Sequence, residues 1–164
     1  MSTNVLSCEL LLHADDLDTL EQLVFNGADL NYQAENGWCL LFEFASLDLH
    51  KELSHFARKN LNIFNSDTKG RTAIFWAIYH SKVESLKVLL QLGCDANEDA
   101  ISALPALHYA VYKNNTNIVE TLLAHGADIH KEDDLGHTAL SYAQVYEREE
   151  MIKLLELHGA VKPI

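Results

Sequence analysis

The stretch that decides the fold runs from Leu104 to Asp128 and reads LPALHYAVYKNNTNIVETLLAHGAD. Its second half carries apolar residues three and four positions apart, ahead of Gly126. Such spacing indicates a helix with one buried face. A glycine directly after that face ends the helix, because it adopts a left-handed conformation at little cost. The stretch therefore predicts two short helices joined by a loop.

The landmarks of this stretch recur at a constant step of 33 residues. Gly93 and Gly159 lie one step before and one step after Gly126. A second marker keeps the same step, with Gly37, Gly70, Ala103 and Gly136. A unit of this size cannot bury its own apolar face, so neighbouring units must stack to make a core.

The units resemble ankyrin repeats, whose signature is a step of about 33 residues and a T-P-L-H-x-A-like helix start. Residues 105–110 read PALHYA, and residues 138–140 read TAL. The resemblance implies an all-α solenoid of stacked helix-turn-helix units, joined by β-turn or hairpin loops, with a right-angled, L-shaped cross-section. We expect a single domain whose first and last units act as caps. Its approximate units are 1–33, 34–66, 67–99, 100–132 and 133–164.

Two units depart from the repeat pattern. Phe44 replaces the small residue that Ala77 supplies one unit later, which predicts a locally altered stacking angle. The fourth unit starts on Ala103 rather than glycine, which predicts a reshaped turn. At the N terminus we expect a capping helix within residues 4–14, followed by a helix that begins near Leu17.

Composition limits the classes of partner. The chain has 164 residues, 48% of them hydrophobic, as in one globular domain. It has 12 Lys and Arg against 24 Asp and Glu, a net charge of −12. Such a surface repels phosphate backbones and anionic membranes, so we expect neither a nucleic-acid nor a membrane partner. With no apolar run near the ~20 residues of a membrane span and no visible signal peptide, we expect a soluble, cytoplasmic protein. Polar caps at both ends argue against polymerising stacks, so we expect a monomer.

Residue types that carry catalysis or bind metals are scattered. We expect buried free thiols at the cysteines, since none lies in a CxxC pair. They are Cys8, Cys39 and Cys94. His108 resembles a hydrogen-bonding core histidine of the family, and His125 and His158 precede glycines at helix C-termini. HExxH, GxSxG and phosphate-binding glycine motifs are lacking, so we expect no cofactor, no metal ion and no enzyme activity.

The hairpin tips and first helices of a repeat stack form an extended concave surface. The resemblance assigns the candidate protein-binding residues to this surface. They are Glu35, Asn36, Trp38, Thr68, Lys69, Arg71, Tyr79, His80, Leu104, Tyr112, Lys113, His137 and Tyr146. Tyr79 and Tyr112 are one step apart, so we expect them side by side on adjacent helices. The aromatic residues either bind a partner or only cover apolar surface between helices.

The leading functional prediction is a non-catalytic interaction module or scaffold that holds a protein partner in its concave groove. A sharper alternative is a stoichiometric inhibitor or immunity protein that neutralises a basic toxin or enzyme. The net charge of −12 would steer such a chain towards a basic partner. A third hypothesis is a subunit of a larger scaffold. The least favoured is a small metal-dependent enzyme built on the scattered histidines and carboxylates.

Overall fold

The structure, a computed structural model, describes residues 3–101 and 103–161. These residues form ten α-helices and one short pair of antiparallel strands. No helix in the described ranges is long and apolar enough to cross a membrane. The helices are α1 (Thr3–Leu12), α2 (Leu17–Phe25), α3 (Leu40–Leu47), α4 (His50–Ala57), α5 (Ala73–Tyr79), α6 (Val83–Gln91), α7 (Ala106–Tyr112), α8 (Thr116–Ala124), α9 (Ala139–Val145) and α10 (Glu149–Leu157). The strands are β1 (Asp99–Ile101) and β2 (Leu104–Pro105).

The helices form two layers. The first helices of successive units, α3, α5, α7 and α9, pack side by side, and α4, α6 and α8 pack in the second layer. Ala77, Ala110 and Ala143 are fully buried and let the first helices approach closely. The leucines of the second helices, such as Leu89 and Leu122, are buried on the opposite side of the core. The chain is thus an all-α stack of helix pairs, with the strand pair a minor addition.

The helix ends follow from local chemistry. Thr72 precedes α5, and its hydroxyl accepts a hydrogen bond from the backbone N–H of Phe75 at 3.4 Å. Gly126 ends the turn after α8 with a φ of +88°. Asn60 takes the equivalent place in the second unit with a φ of +68°, since asparagine tolerates this conformation better than most residues. The loss of glycine there leaves the backbone path intact.

The N-terminal region forms the expected capping helix α1, and the next helix begins at Leu17 as predicted. Asp16 caps α2, because its carboxylate accepts a hydrogen bond from the backbone N–H of Thr19 at 3.2 Å. Leu10 and Leu20 are buried and join the two helices to the core.

Phe44 is accommodated inside the core. Its side chain is fully buried, and its ring stacks on that of Phe56 with centroids 5.8 Å apart and planes 15° apart. The hydroxyl of Ser85 donates a hydrogen bond to the backbone carbonyl of Phe44 at 3.1 Å. Ser85 holds the place that the larger Ile118 holds one unit later. The altered stacking angle at this unit stays a prediction.

Hairpins join the units, and their shape depends on one position. Asp67 and Asp133 accept hydrogen bonds from backbone N–H groups of their own hairpins. Ala100 holds this position in the fourth unit and provides no carboxylate. There the hairpin forms β1 and β2 with an irregular register, and Ala103 adopts a φ of +60°. The predicted reshaping of this turn is confirmed.

The prediction of buried thiols holds for two of the three cysteines. Cys39 and Cys94 are buried, and burial raises the pKa of the Cys94 thiol to about 12. The prediction is wrong for Cys8, which is exposed. Its helix α1 packs against α2 and α3, and Val5 and Leu12 on the same helix are exposed, so one face of that helix lies open. The Cys8 sulfur lies 3.2 Å from the hydroxyl of Tyr32.

Candidate functional site

Aromatic rings form a continuous strip along the layer of first helices. Neighbouring rings in it have centroids 4.7–6.3 Å apart, mostly in stacked or edge-on geometry. The strip crosses four units, from the second to the fifth. We call it the aromatic strip, and its residues are Trp38, Phe75, Trp76, Tyr79, Tyr109, Tyr112, Tyr142 and Tyr146.

The outer edge of the strip consists of tyrosines. Tyr79, Tyr112 and Tyr146 are 45%, 50% and 43% exposed. Tyr79 and Tyr112 lie on adjacent helices as expected, and they are connected through Phe75 and Tyr109, whose rings stack at 5.2 Å. The buried inner rings thereby fix the orientation of the exposed tyrosines, which lowers the entropy lost when a partner binds.

Trp76 lies at the centre of the strip and is only 9% exposed. Trp38 contacts it edge-on at 4.7 Å, and the indole N–H of Trp38 donates a hydrogen bond to Glu43 at 2.6 Å. His80 stacks on Trp76 from the end of α5, with ring planes 20° apart. Trp38 is half-buried, so this candidate binding residue also contributes to packing between the second and third units.

Two cations lie on the rings. The guanidinium carbon of Arg71 is 4.4 Å from the ring centroid of Trp76, and the ammonium of Lys113 is 4.8 Å from that of Tyr79. Both distances are within the range of cation–π attraction. Asp67 orients Arg71, because its carboxylate accepts a hydrogen bond from the Arg71 Nε at 2.6 Å. Burial raises the pKa of Asp67, but the donors of Arg71 and Lys69 outweigh burial and hold the pKa below its usual value.

Basic side chains influence the titration of His80 at the centre of the strip. Burial lowers the pKa of His80, and the nearby ammonium groups of Lys82 and Lys113 lower it further. Among the described residues, neither lysine forms an ion pair with a carboxylate. The centre of the strip therefore holds cations, although the chain as a whole carries a net charge of −12.

The fifth unit adds an apolar groove at the end of the strip. Leu135 is 79% exposed and, with His137, Tyr142 and Tyr146, lines an open groove of about 210 Å³. An adjoining groove of about 460 Å³ contains Leu104. Three of the candidate binding residues, Leu104, His137 and Tyr146, therefore lie close to one another.

A buried aspartate holds this groove in shape. Asp133 accepts hydrogen bonds from the backbone N–H groups of Leu135 and His137 and from the hydroxyl of Tyr142, at 2.8–2.9 Å. Burial raises the pKa of Asp133, but these donors outweigh burial and bring the pKa to about 2. Burial, followed by the hydrogen bond to Asp133, raises the pKa of Tyr142 to about 12.

The remaining candidates lie at the hairpin tips of the second and third units. Thr68 donates hydrogen bonds from its backbone N–H and its hydroxyl to the carbonyl of Asn36, at 3.3 and 3.0 Å. The hairpins touch closely here, since a Cβ at Gly37 would lie 2.7 Å from the Cα of Asp67. Thr68 and Asn36 thus connect two units. Glu35 and Lys69 are exposed beside them and stay candidates for partner contacts.

Sequence reasoning missed the inner rings of the strip. Phe75, Tyr109 and Tyr142 lie three or four residues before the exposed tyrosines, on the same helical face. This spacing could have identified the inner rings as neighbours of the exposed tyrosines on the same helical face. Asp67 and Asp133 were also missed, although they are two repeat steps apart and each lies three residues before a glycine.

The histidines considered for metal binding have structural contacts. His108 is fully buried, and its Nε2 is 2.9 Å from the carbonyl of His137, so the expected hydrogen-bonding core histidine is confirmed. His125 and His158 bond through Nδ1 to carbonyls of the preceding helical turn, at 2.8 and 2.9 Å. Within residues 3–101 and 103–161, no group of three or more His, Cys, Asp and Glu is arranged to hold a metal ion.

A stack of helix pairs, with hairpins along one edge, defines a helical repeat solenoid. A family model described as ankyrin repeats (3 copies) matches residues 8–100 and again residues 97–163. The chain belongs to the ankyrin repeat family. A comparison with curated proteins finds no match. Ankyrin repeats are generally protein–protein interaction modules, and the family is typically non-catalytic.

Proposed function

We propose that the chain binds a protein partner through the aromatic strip and the adjacent hairpin tips, without catalysing a reaction. The observation that carries this proposal is the row of half-exposed tyrosines, which the buried rings of Phe75 and Tyr109 and the half-buried ring of Tyr142 support from behind. Tyrosine supplies large, rigid contact area and a hydroxyl for hydrogen bonding, which makes it frequent at binding hot spots. The free cysteines fit a reducing compartment, and we propose the cytoplasm.

Crosslinking in cells that express the chain tests this proposal. The variant combines Tyr79→Ala, Tyr112→Ala and Tyr146→Ala. The control combines Phe25→Ala and Leu157→Ala, which remove exposed apolar side chains outside the strip. We expect proteins that crosslink to the wild type to be lost from the tyrosine variant and kept by the control. Equal capture by the tyrosine variant, with an unchanged unfolding midpoint, would contradict the proposal.

A second proposal is that the bound partner is a basic toxin or enzyme, which the chain inhibits by occupying it. A groove beside the end of the strip favours this role, since three glutamates line it against one arginine, Arg148. The glutamates are Glu147, Glu149 and Glu150. Steered association of an acidic chain with a basic partner slows steeply as salt screens the charges. An association rate for the captured partner that does not change with ionic strength would count against this role.

A further inference from the structure

The centre of the aromatic strip combines π faces with two cations, of which Arg71 is ion-paired with Asp67. Arg71 lies over Trp76, Lys113 lies over Tyr79, and the two rings have centroids 5.9 Å apart. The two cations therefore flank one pair of contacting rings. His80 stacks on Trp76 beside them, with ring planes 20° apart. Two cations and three rings therefore meet at the centre of the strip.

Arg71 keeps part of its guanidinium available. Among the described residues, its side chain donates a hydrogen bond only through Nε, to Asp67. The terminal nitrogens of a guanidinium can bind a carboxylate through bidentate hydrogen bonds. Because the side chain is packed on Trp76 and Phe75, these donors are held in place before a ligand arrives.

We infer that this centre, formed by Arg71, Trp76, Tyr79 and Lys113, binds an acidic, extended segment of the protein partner. The inference rests on the proposed function and adds the chemistry of the bound segment. A carboxylate of the segment would bind the Arg71 fork or the Lys113 ammonium, and its apolar parts would lie on the rings. Charge complementarity favours this occupant over a basic one at the centre of the strip.

The surrounding charges favour a short acidic segment over a nucleic acid. Glu35, Asp134 and Glu147 are exposed in the units on either side of the centre. A long polyanion would meet these carboxylates as well as the cations, which costs binding free energy. A segment with a few carboxylates in its middle would avoid them. One partner therefore fits both the net charge of −12 and the cations of the strip. Its surface is basic, and a short acidic segment of it binds at the centre of the strip.

The probe is a library of random short peptides selected for binding to the folded chain. We expect the recovered peptides to be enriched in Asp and Glu. They should also change the intrinsic tryptophan fluorescence, because both tryptophans of the chain lie in the strip. Their affinity should fall about tenfold in the variant Lys113→Gln. The control Lys51→Gln has the same net charge and should bind within about twofold of the wild type.

The outcomes separate this inference from the proposed function. Peptides that lose binding with Tyr79→Ala and Tyr112→Ala but carry no acidic enrichment would overturn the inference and leave the proposed function standing. A selection in which no peptide depends on those tyrosines would contradict both. Tighter binding of a single-stranded oligonucleotide than of the recovered peptides would also overturn the inference.

Discussion

At the scale of single residues, the pKa values of two carboxylates in this chain shift in opposite directions, although burial raises both. Asp133 is surrounded by N–H and O–H donors, which hold its pKa at about 2 despite burial. Glu98 lies between the third and fourth units, where the hydroxyl of Thr72 donates a hydrogen bond to it. Burial raises the pKa of Glu98, and the negative charges of Asp95 and Asp99 raise it further. Together these effects outweigh the donor of Thr72, which lowers the pKa. Protonation of Asp133 therefore destabilises the folded state, whereas protonation of Glu98 stabilises it.

For Glu98, the folded-state pKa lies above the ordinary value of 4.5. Its contribution to stability is fully present below that value and is lost as pH rises through the folded-state pKa. Glu98→Gln removes this loss and keeps an acceptor for Thr72, so we expect a melting temperature about 2 °C higher near pH 7. Below about pH 4 the variant and the wild type should melt together. A less stable variant near neutral pH would mean that the charged carboxylate makes a net favourable contact.

For Asp133, the folded-state pKa of about 2 lies below the ordinary value of 3.8. Its stabilisation is present above the ordinary value and is lost as pH falls towards the folded-state pKa. Asp133→Asn weakens the bonds to two backbone N–H groups, and we expect a loss of about 1–3 kcal/mol in the free energy of unfolding by urea. The control is Asp134→Asn, since its side chain is exposed. Equal losses in both variants would refute a special role for Asp133.

At the scale of elements, asparagine side chains join successive loops in a repeated pattern. Asn31 bonds the carbonyl of Asn60 and the N–H of Asn62, at 3.0 and 2.7 Å. Asn97 makes the same pair of bonds, two repeat steps later, to Gly126 and Asp128. Phe64 holds the intervening position and is 70% exposed. One of the junctions between units therefore lacks a bridge that its neighbours have.

Phe64→Asn restores this bridge, since the new amide would face the carbonyl of Gly93 and the N–H of Asp95. We expect the free energy of unfolding to rise by about 0.5–1.5 kcal/mol relative to Phe64→Ala. The alanine variant is the proper reference, because it removes the exposed ring without adding an amide. Unfolding in urea provides the measurement, and equal stability of the two variants would show that the bridge does not form.

The same elements show how far the sequence predicts this molecule. The constant step of the glycines predicts the helix pairs, and the turn at Ala103 was predicted correctly. The step does not tell which side chains of a first helix face a neighbouring ring. Trp76 belongs to the strip because Arg71 and Trp38 come from other segments to cover it. The sequence also does not predict the exposure of Cys8, because that exposure depends on which faces of α1 pack against other helices.

At the scale of the whole molecule, each unit packs against its neighbours, and the aromatic strip is the feature that runs through four of them. Stability in such a stack is a sum of unit and junction contributions. A weakened junction therefore opens the units near it before the rest. Both tryptophans lie in the second and third units, so their fluorescence reports on that half of the stack.

Phe44→Ala tests this local behaviour. Phe44 is fully buried against Phe56, so we expect a loss of about 3–5 kcal/mol at the junction of the second and third units. The tryptophan fluorescence transition should move to lower urea, and amides of α3 and α4 should exchange faster, while α8 and α10 keep their protection. Leu155→Ala, at a buried position of α10, is the control and should leave the tryptophan transition in place. Equal loss of protection along the whole chain would show that the stack unfolds as one cooperative unit.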